Sequence, residues 1–213
     1  MHFLSNWFIR VTGFIPMLIG FRFKTYYEDK KIQSRRIRGK AIVIANHRSL
    51  YDFALMIFLF PFRTLRCVIG EVMFKKNVFL TFLLRALGGI KVEREQHDFT
   101  FVGKCKRVLV RGGVVEIYPE SKLNKTDETL LPFKPSFVYL ALECGAPIIP
   151  VYTDGNYFKK RAARVIIGKP VDVFEFYDDN LSDKENITNI TEIIRGKVLA
   201  LKDELDRQSK EKG

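Results

Sequence analysis

Short apolar runs, punctuated by polar and turn-forming residues, alternate along this chain with longer stretches whose apolar side chains recur every three or four positions. The runs at 41–45, 65–69, 90–92, 114–118, 148–152 and 164–167 predict strands. The longer stretches predict helices over 49–60, 77–87, 98–110, 136–143 and 187–205. Gly88-Gly89 stops the second of these helices and Gly112-Gly113 the third. Alternation of this kind predicts an α/β fold: a single domain with a mostly parallel central sheet flanked by helices. No internal repeat interrupts the pattern, and the charged tail over 207–213 reads as frayed.

The N-terminal part is patterned differently. Residues 11–21 carry no charge, but Arg10 and Arg22 bracket them and Pro16 interrupts them. Eleven residues are too few to span a hydrocarbon core that needs ~20 in helical form. No small-residue cleavage site follows, and the basic cluster lies downstream of the apolar run, so a signal peptide fits poorly. Trp7, Phe8, Phe14, Phe21 and Phe23 precede Lys24, Lys30, Lys31, Arg35, Arg36, Arg38 and Lys40. Aromatic side chains followed by cations predict an amphipathic helical segment lying in a membrane interface; a helix packed on the domain is the alternative. The chain therefore divides into a membrane-associating segment at 1–39, a folded domain at 40–206 and a tail at 207–213.

Composition narrows the partners. A chain of 213 residues, 47% of them hydrophobic, supports one domain with a substantial core. Lys and Arg number 36 against 24 Asp and Glu, a net charge of +12 that favours anionic partners. Nineteen Phe against one Trp, with no zinc-finger spacing or RNA-recognition signature, turn that preference toward an anionic membrane surface and away from nucleic acid, although a phenylalanine-rich core has the same composition. Cys67, Cys105 and Cys144 form neither a disulfide framework nor a C-x-x-C site, which favours a reducing compartment. A P-loop, a G-x-G-x-x-G fingerprint and an H-E-x-x-H pair are all missing, so nothing supports nucleotide or zinc chemistry.

The chemistry concentrates where the strand at 41–45 stops, in Asn46-His47-Arg48-Ser49-Leu50-Tyr51-Asp52. An imidazole at a strand end, with a carboxylate in the following turn, suits proton abstraction near neutral pH: the acid on Nδ1 holds the tautomer that frees Nε2. The same residues also fit a capping box, S-x-x-D, in which Asp52 serves only the helix N-terminus. In the strand at 90–92, Arg94 falls on the side of Ile90 and Val92, where its guanidinium needs an anion, either a phosphate or a structural carboxylate such as Glu120. Pro119 ends the strand at 114–118 and leaves Glu120 at the edge where open α/β sheets bind ligands. The prolines of Gly145-Ala146-Pro147-Ile148-Ile149-Pro150-Val151 read as shaping a turn and a strand start.

Taken in order, His47 and Asp52, then Gly88 to Arg94, then Tyr118-Pro119-Glu120, then Pro147 to Val151 resemble the four blocks of the glycerolipid acyltransferase family. This PlsC-like group includes the lysophosphatidic acid acyltransferases, and the resemblance covers roughly residues 40 to 170, with Gly168-Lys169-Pro170 looking like its late turn. It implies acyl transfer from acyl-CoA or acyl carrier protein to the hydroxyl of a lysophospholipid, with no cofactor and no metal. His47 would be the base and Asp52 its orienting acid, while Arg94, Glu120, Lys122, Gly89 and Lys134 would bind substrate. It also implies a peripheral or monotopic protein on the cytoplasmic face of a membrane.

The third block departs from the family. Glu-Gly-Thr-Arg-Ser is common there, whereas this chain reads Glu120-Ser121-Lys122-Leu123-Asn124, so Leu123 replaces the arginine expected to hold phosphate. Lys122 or Lys125 supplies a point charge instead of a fork. That departure keeps a second expectation alive, a non-catalytic lipid-binding protein of the same fold. The apolar stretches at 53–62 and 78–84 fit either an acyl-chain tunnel or ordinary core helices.

Overall fold

The computed structural model describes residues 21–93, 100–125 and 130–211, together with Leu4, Trp7, Phe8, Val11 and Thr12. Most of the expected membrane-associating segment, and Arg94, therefore lie outside the described residues. Within them the strands are β1 (Phe23–Tyr27), β2 (Ala41–Ala45), β3 (Leu65–Gly70), β4 (Ile90–Val92), β5 (Val114–Ile117), β6 (Ile148–Thr153) and β7 (Ala163–Ile167). The helices are α1 (Asp52–Leu59), α2 (Glu71–Lys75), α3 (Val78–Ala86), α4 (Thr100–Val110), α5 (Ser136–Cys144) and α6 (Asp183–Glu211), with a 3-10 turn at Val173–Phe176.

All seven strands join one sheet in the order β1-β7-β6-β2-β5-β3-β4. From β6 through β4 every pairing is parallel; β7 runs antiparallel to β6, and β1 runs parallel to β7. The fold is thus the mostly parallel α/β sheet that the alternating pattern predicts. β2 sits at its centre, and its run Ala41-Ile42-Val43-Ile44-Ala45 is apolar throughout because both faces are covered. Ile42 and Ile44 enter one core with Phe137, Leu140, Ile194 and Leu205, while Ala41, Val43 and Ala45 enter a second with Leu55, Met56 and Phe60. Such a strand cannot slip in register without exposing one of these sets.

Two segments differ from the periodicity's prediction, and the short helix α2 falls where it predicts none. Phe23–Tyr27, expected in the membrane-facing segment, forms the edge strand β1, with Tyr26 opposite Ile166 and buried. Its aromatic and β-branched residues serve the sheet equally well, and that partner is 140 positions away (Tyr26↔Ile166). The tail is helical through Glu211: Arg207 pairs with Glu204 at 2.6 Å and with Glu211 at 2.7 Å, so charges read as fraying are spaced to support a helix. At the other end of α6, Ser182 and Glu185 exchange hydrogen bonds of 2.9 and 3.3 Å in a capping box, starting the helix at Asp183. Pro150 lies inside β6, as the strand expected at 148–152 has it. It sits opposite Ile44, just where the β6–β7 pairing has ended, so its missing N–H costs that ladder nothing.

At the C-terminal edge, β2, β5 and β6 end side by side, and a buried amide ties two of them. Asn46 donates to the Thr153 carbonyl at 2.9 Å and accepts from the Thr153 N–H at 2.8 Å. Asn46→Ala strips both groups of Thr153 of their partner in the core, and a loss of about 2–4 kcal/mol in unfolding free energy is expected from denaturant titration.

Candidate active site

His47 leaves β2 at that edge and is held on both sides of its backbone. Its N–H donates to Glu120 Oε1 at 2.8 Å, and its carbonyl accepts from the Asn124 N–H at 2.7 Å. Its ring places Nδ1 3.0 Å from Asp52 Oδ2, with 16% of the side chain exposed against none of Asp52. The tautomer with hydrogen on Nδ1 satisfies this contact and leaves Nε2 without a partner among the described residues. Tyr118 stacks on the imidazole with centroids 4.5 Å apart, fixing the plane of the ring.

Asp52 does both jobs between which the sequence left a choice. Its Oδ2 accepts from the Arg48 N–H at 2.7 Å and the Ser49 N–H at 2.8 Å, the second being one half of a capping box, and the same atom faces His47. Its Oδ1 accepts the Tyr157 hydroxyl at 2.7 Å. Tyr157 reaches this point because Gly155, at φ +67°, lets the loop after β6 close on Arg48; a β-carbon there would lie 2.5 Å from Arg48 Cβ. Burial and the neighbouring acid raise the Tyr157 pKa well above the ordinary phenol value, so it remains a donor.

Behind the stacked Tyr118 lies a second carboxyl group. Tyr118 donates to Glu116 Oε1 at 2.5 Å, and Glu116 is 1% exposed within an otherwise apolar strand. Burial pushes its pKa up to about 8, against the lowering effect of hydrogen bonds from Tyr118 and Cys67, while the Asp52 charge raises it further. The Cys67 thiol is itself raised far above its usual range by burial and by Glu116, which makes it a poor nucleophile.

In front of His47 opens a cavity of about 140 Å³, lined by Leu50, Phe53, Ile69, Met73, Leu84 and Phe101 among others, with Lys134 and Ser121 also contributing to its walls. A model of the acyltransferase family matches residues 24–154 of the chain. The chain belongs to the acyltransferase family. Among its relatives, the 1-acyl-sn-glycerol-3-phosphate acyltransferase beta of Homo sapiens is 29% identical over 149 residues, which cover 70% of this chain and 51% of that protein. The 1-acyl-sn-glycerol-3-phosphate acyltransferase of Haemophilus influenzae is 27% identical over 191 residues, 84% of this chain and 75% of that one. The chain thus spans about half the length of the human relative. The crystal structure of PlsC, the 1-acyl-sn-glycerophosphate acyltransferase of Thermotoga maritima, shares the fold with a TM-score of 0.63 at 24% identity, over 92% of this chain and 79% of that one.

Within this acyltransferase-family site the expected residues fall into groups. His47 and Lys134 line one cavity, and Asp52 lies directly behind the imidazole. Glu120 is buried, and its second oxygen accepts from Asn124 at 3.0 Å and from the Leu131 N–H at 2.9 Å, so it acts through the His47 backbone. Lys122 is exposed and does not line the cavity, and Gly89 borders a smaller one shared with Glu116, Phe53 and Leu84. Arg94 lies outside the described residues. Ser121, where the family commonly has glycine, adopts φ +59°, a left-handed conformation that glycine populates freely. Among the described residues no cluster of three His, Cys, Asp or Glu side chains is arranged to hold a metal ion.

Asn46, Tyr118, Tyr157 and Glu116 build the site without having been singled out as site residues in the sequence. Asn46 and Tyr118 adjoin residues that were singled out, and Glu116 left a signal of its own, a lone carboxyl in a strand of Val and Ile. Its raised pKa makes the folded chain hold a proton that the unfolded chain releases above its ordinary 4.5, so its contribution to stability falls as pH rises from there to about 8. Glu116→Gln removes that dependence: between pH 5 and pH 8 the variant gains stability relative to the parent, by at most ~1.4 kcal/mol per pH unit, as read by denaturant titration at each pH.

Proposed function

We propose that this acyltransferase-family chain transfers a fatty acyl group from an acyl thioester to the hydroxyl of a lysophospholipid, with 1-acyl-glycerol-3-phosphate the acceptor and phosphatidic acid the product. The observation that carries the reading is the His47 ring, tied at Nδ1 to Asp52 and free at Nε2 in a cavity with apolar walls. The 1-acyl-sn-glycerol-3-phosphate acyltransferases of Homo sapiens and Haemophilus influenzae, as relatives of the chain, support the acceptor. The donor is acyl-CoA or acyl carrier protein loaded with an acyl chain.

In this reading the acceptor hydroxyl gives its proton to His47 Nε2 as its oxygen bonds to the thioester carbonyl carbon. The tetrahedral intermediate then collapses, the carbon–sulfur bond breaks, and the imidazolium returns the proton to the leaving thiolate. Asp52 steadies the imidazolium through Nδ1 and is itself fixed by Tyr157 and two backbone amides. No acyl-enzyme is needed, because the acceptor attacks directly. Lys134 supplies a cation at the cavity, and Arg94 is assigned to the acceptor phosphate on the family resemblance. Delivery of a lipid acceptor requires contact with a membrane, and the reading places the chain on its cytoplasmic face. No helix among the described residues is long and apolar enough to cross a bilayer.

Thiol release from long-chain acyl-CoA, measured with and without a panel of lysophospholipids, tests the reading. Release that needs an acceptor supports transfer; release without one marks a hydrolase, and none in either case marks a lipid-binding protein. His47→Ala is expected to lower kcat by ~10²–10⁴-fold with its circular dichroism unchanged, and substantial residual turnover would reject the base assignment. Arg94→Ala is expected to raise KM for the acceptor more than for the donor; equal effects on both would make Arg94 structural.

A further inference from the structure

The helix α3 has the composition of a core element without its burial. Its sequence is Val78-Phe79-Leu80-Thr81-Phe82-Leu83-Leu84-Arg85-Ala86, yet Leu84 is its one buried residue. Val78, Phe79 and Phe82 are 88%, 74% and 70% exposed, and Val72 on the preceding α2, which has no buried residue, is 65% exposed. Spacings of three and four put Val78, Phe79 and Phe82 on one helical face. The helix is held in this pose by Asn77, whose side chain accepts from the Phe79 N–H at 2.7 Å. A contiguous patch of large apolar side chains kept in water marks a docking surface.

Two features select its occupant. The patch is rimmed by cations: Lys75 and Lys76 at the α2–α3 turn and Arg85 in the last turn of α3 are all exposed, and Glu71, paired with Lys75 at 2.9 Å, is the one acid of the two helices. Aromatic residues among cations suit an anionic phospholipid leaflet. The two helices that carry the patch also border the site: Met73 of α2 and Leu84 of α3, the latter on the buried side, line the cavity with His47. We propose that the α2–α3 hairpin is a bilayer-docking surface that inserts Phe79 and Phe82 into an anionic phospholipid leaflet and so presents the mouth of the His47 cavity to lipid. This second contact is separate from the N-terminal segment. It rests on a lipid acceptor for its purpose, but not for its detection.

The single tryptophan of the chain, Trp7, makes a direct test possible. In the 213-residue chain carrying Trp7→Phe, a Phe79→Trp substitution reports on the hairpin. The control, Phe174→Trp, sits on the 3-10 turn that packs with α5 and α6 against the other core. With vesicles of phosphatidylcholine and phosphatidylglycerol, the tryptophan at 79 is expected to shift to the blue and to be quenched by brominated acyl chains, while the one at 174 stays unquenched. A tryptophan at 79 unmoved by vesicles overturns the proposal. The pair Phe79→Ser and Phe82→Ser is expected to weaken vesicle binding at least about tenfold and to leave turnover of a short-chain, monomeric acceptor near the parent value. Should sedimentation instead reveal a lipid-free dimer that this pair dissociates, the patch belongs to a second copy of the chain and the proposal fails. Because spectra and binding need no turnover, failure of the acyl-transfer reading would leave them unchanged.

Discussion

The site depends on one fully buried carboxylate. Four donors converge on Asp52: His47 Nδ1, the N–H groups of Arg48 and Ser49, and the Tyr157 hydroxyl. Each comes from a different point of the turn or from the loop after β6, so the acid fixes three things together: the imidazole, the turn that carries it, and the neighbouring loop. A buried carboxyl is costly unless its lone pairs are used, and here that requirement becomes a specification of geometry. The helix that follows, α1, starts at this same residue, which couples the orientation of the base to the packing of Leu55, Met56 and Leu59 in the core.

Glu120 plays a matching part from β5. By accepting the His47 N–H with one oxygen and Asn124 and Leu131 with the other, it pins the end of β2 to the loop after β5. Two buried acids thus orient one half-buried base, one through its side chain and the other through its main chain. Of the two lysines expected at the site, both exposed, Lys134 borders the cavity and Lys122 does not. The departure of the third block from the family pattern is felt in the backbone as well: Ser121 occupies a left-handed conformation where a glycine would be unstrained.

The surface around the cavity suits the lipid substrates proposed for it. Its walls are mostly apolar, and the apolar character continues outward along α2 and α3 with cations at the rim. On the proposed function acceptor and product are both lipids, and a cavity facing a leaflet would spare either from crossing water. Phe79 and Phe82 stay outside the core, and the proposed contact with a leaflet would take them out of water.

Much of this was legible in the chain itself. The strands β2 to β7, the helices between them apart from the short α2, and the mostly parallel sheet follow from period and punctuation, because a strand covered on both faces must be apolar along its whole length. The His47–Asp52 pair was legible for a similar reason: five positions spanning a turn are a local relation, and local relations leave local patterns. What the sequence could not decide was long-range. Tyr157 meets Asp52 across 105 positions, Asn46 meets Thr153 across 107, and Phe23–Tyr27 becomes a strand only because Ala163–Ile167 lies beside it. Nor could composition tell that α3 would stay exposed, since an apolar helix reads alike whether core or lipid is to cover it. Those choices belong to the tertiary structure, which alone brings distant donors, strands and surfaces within contact distance.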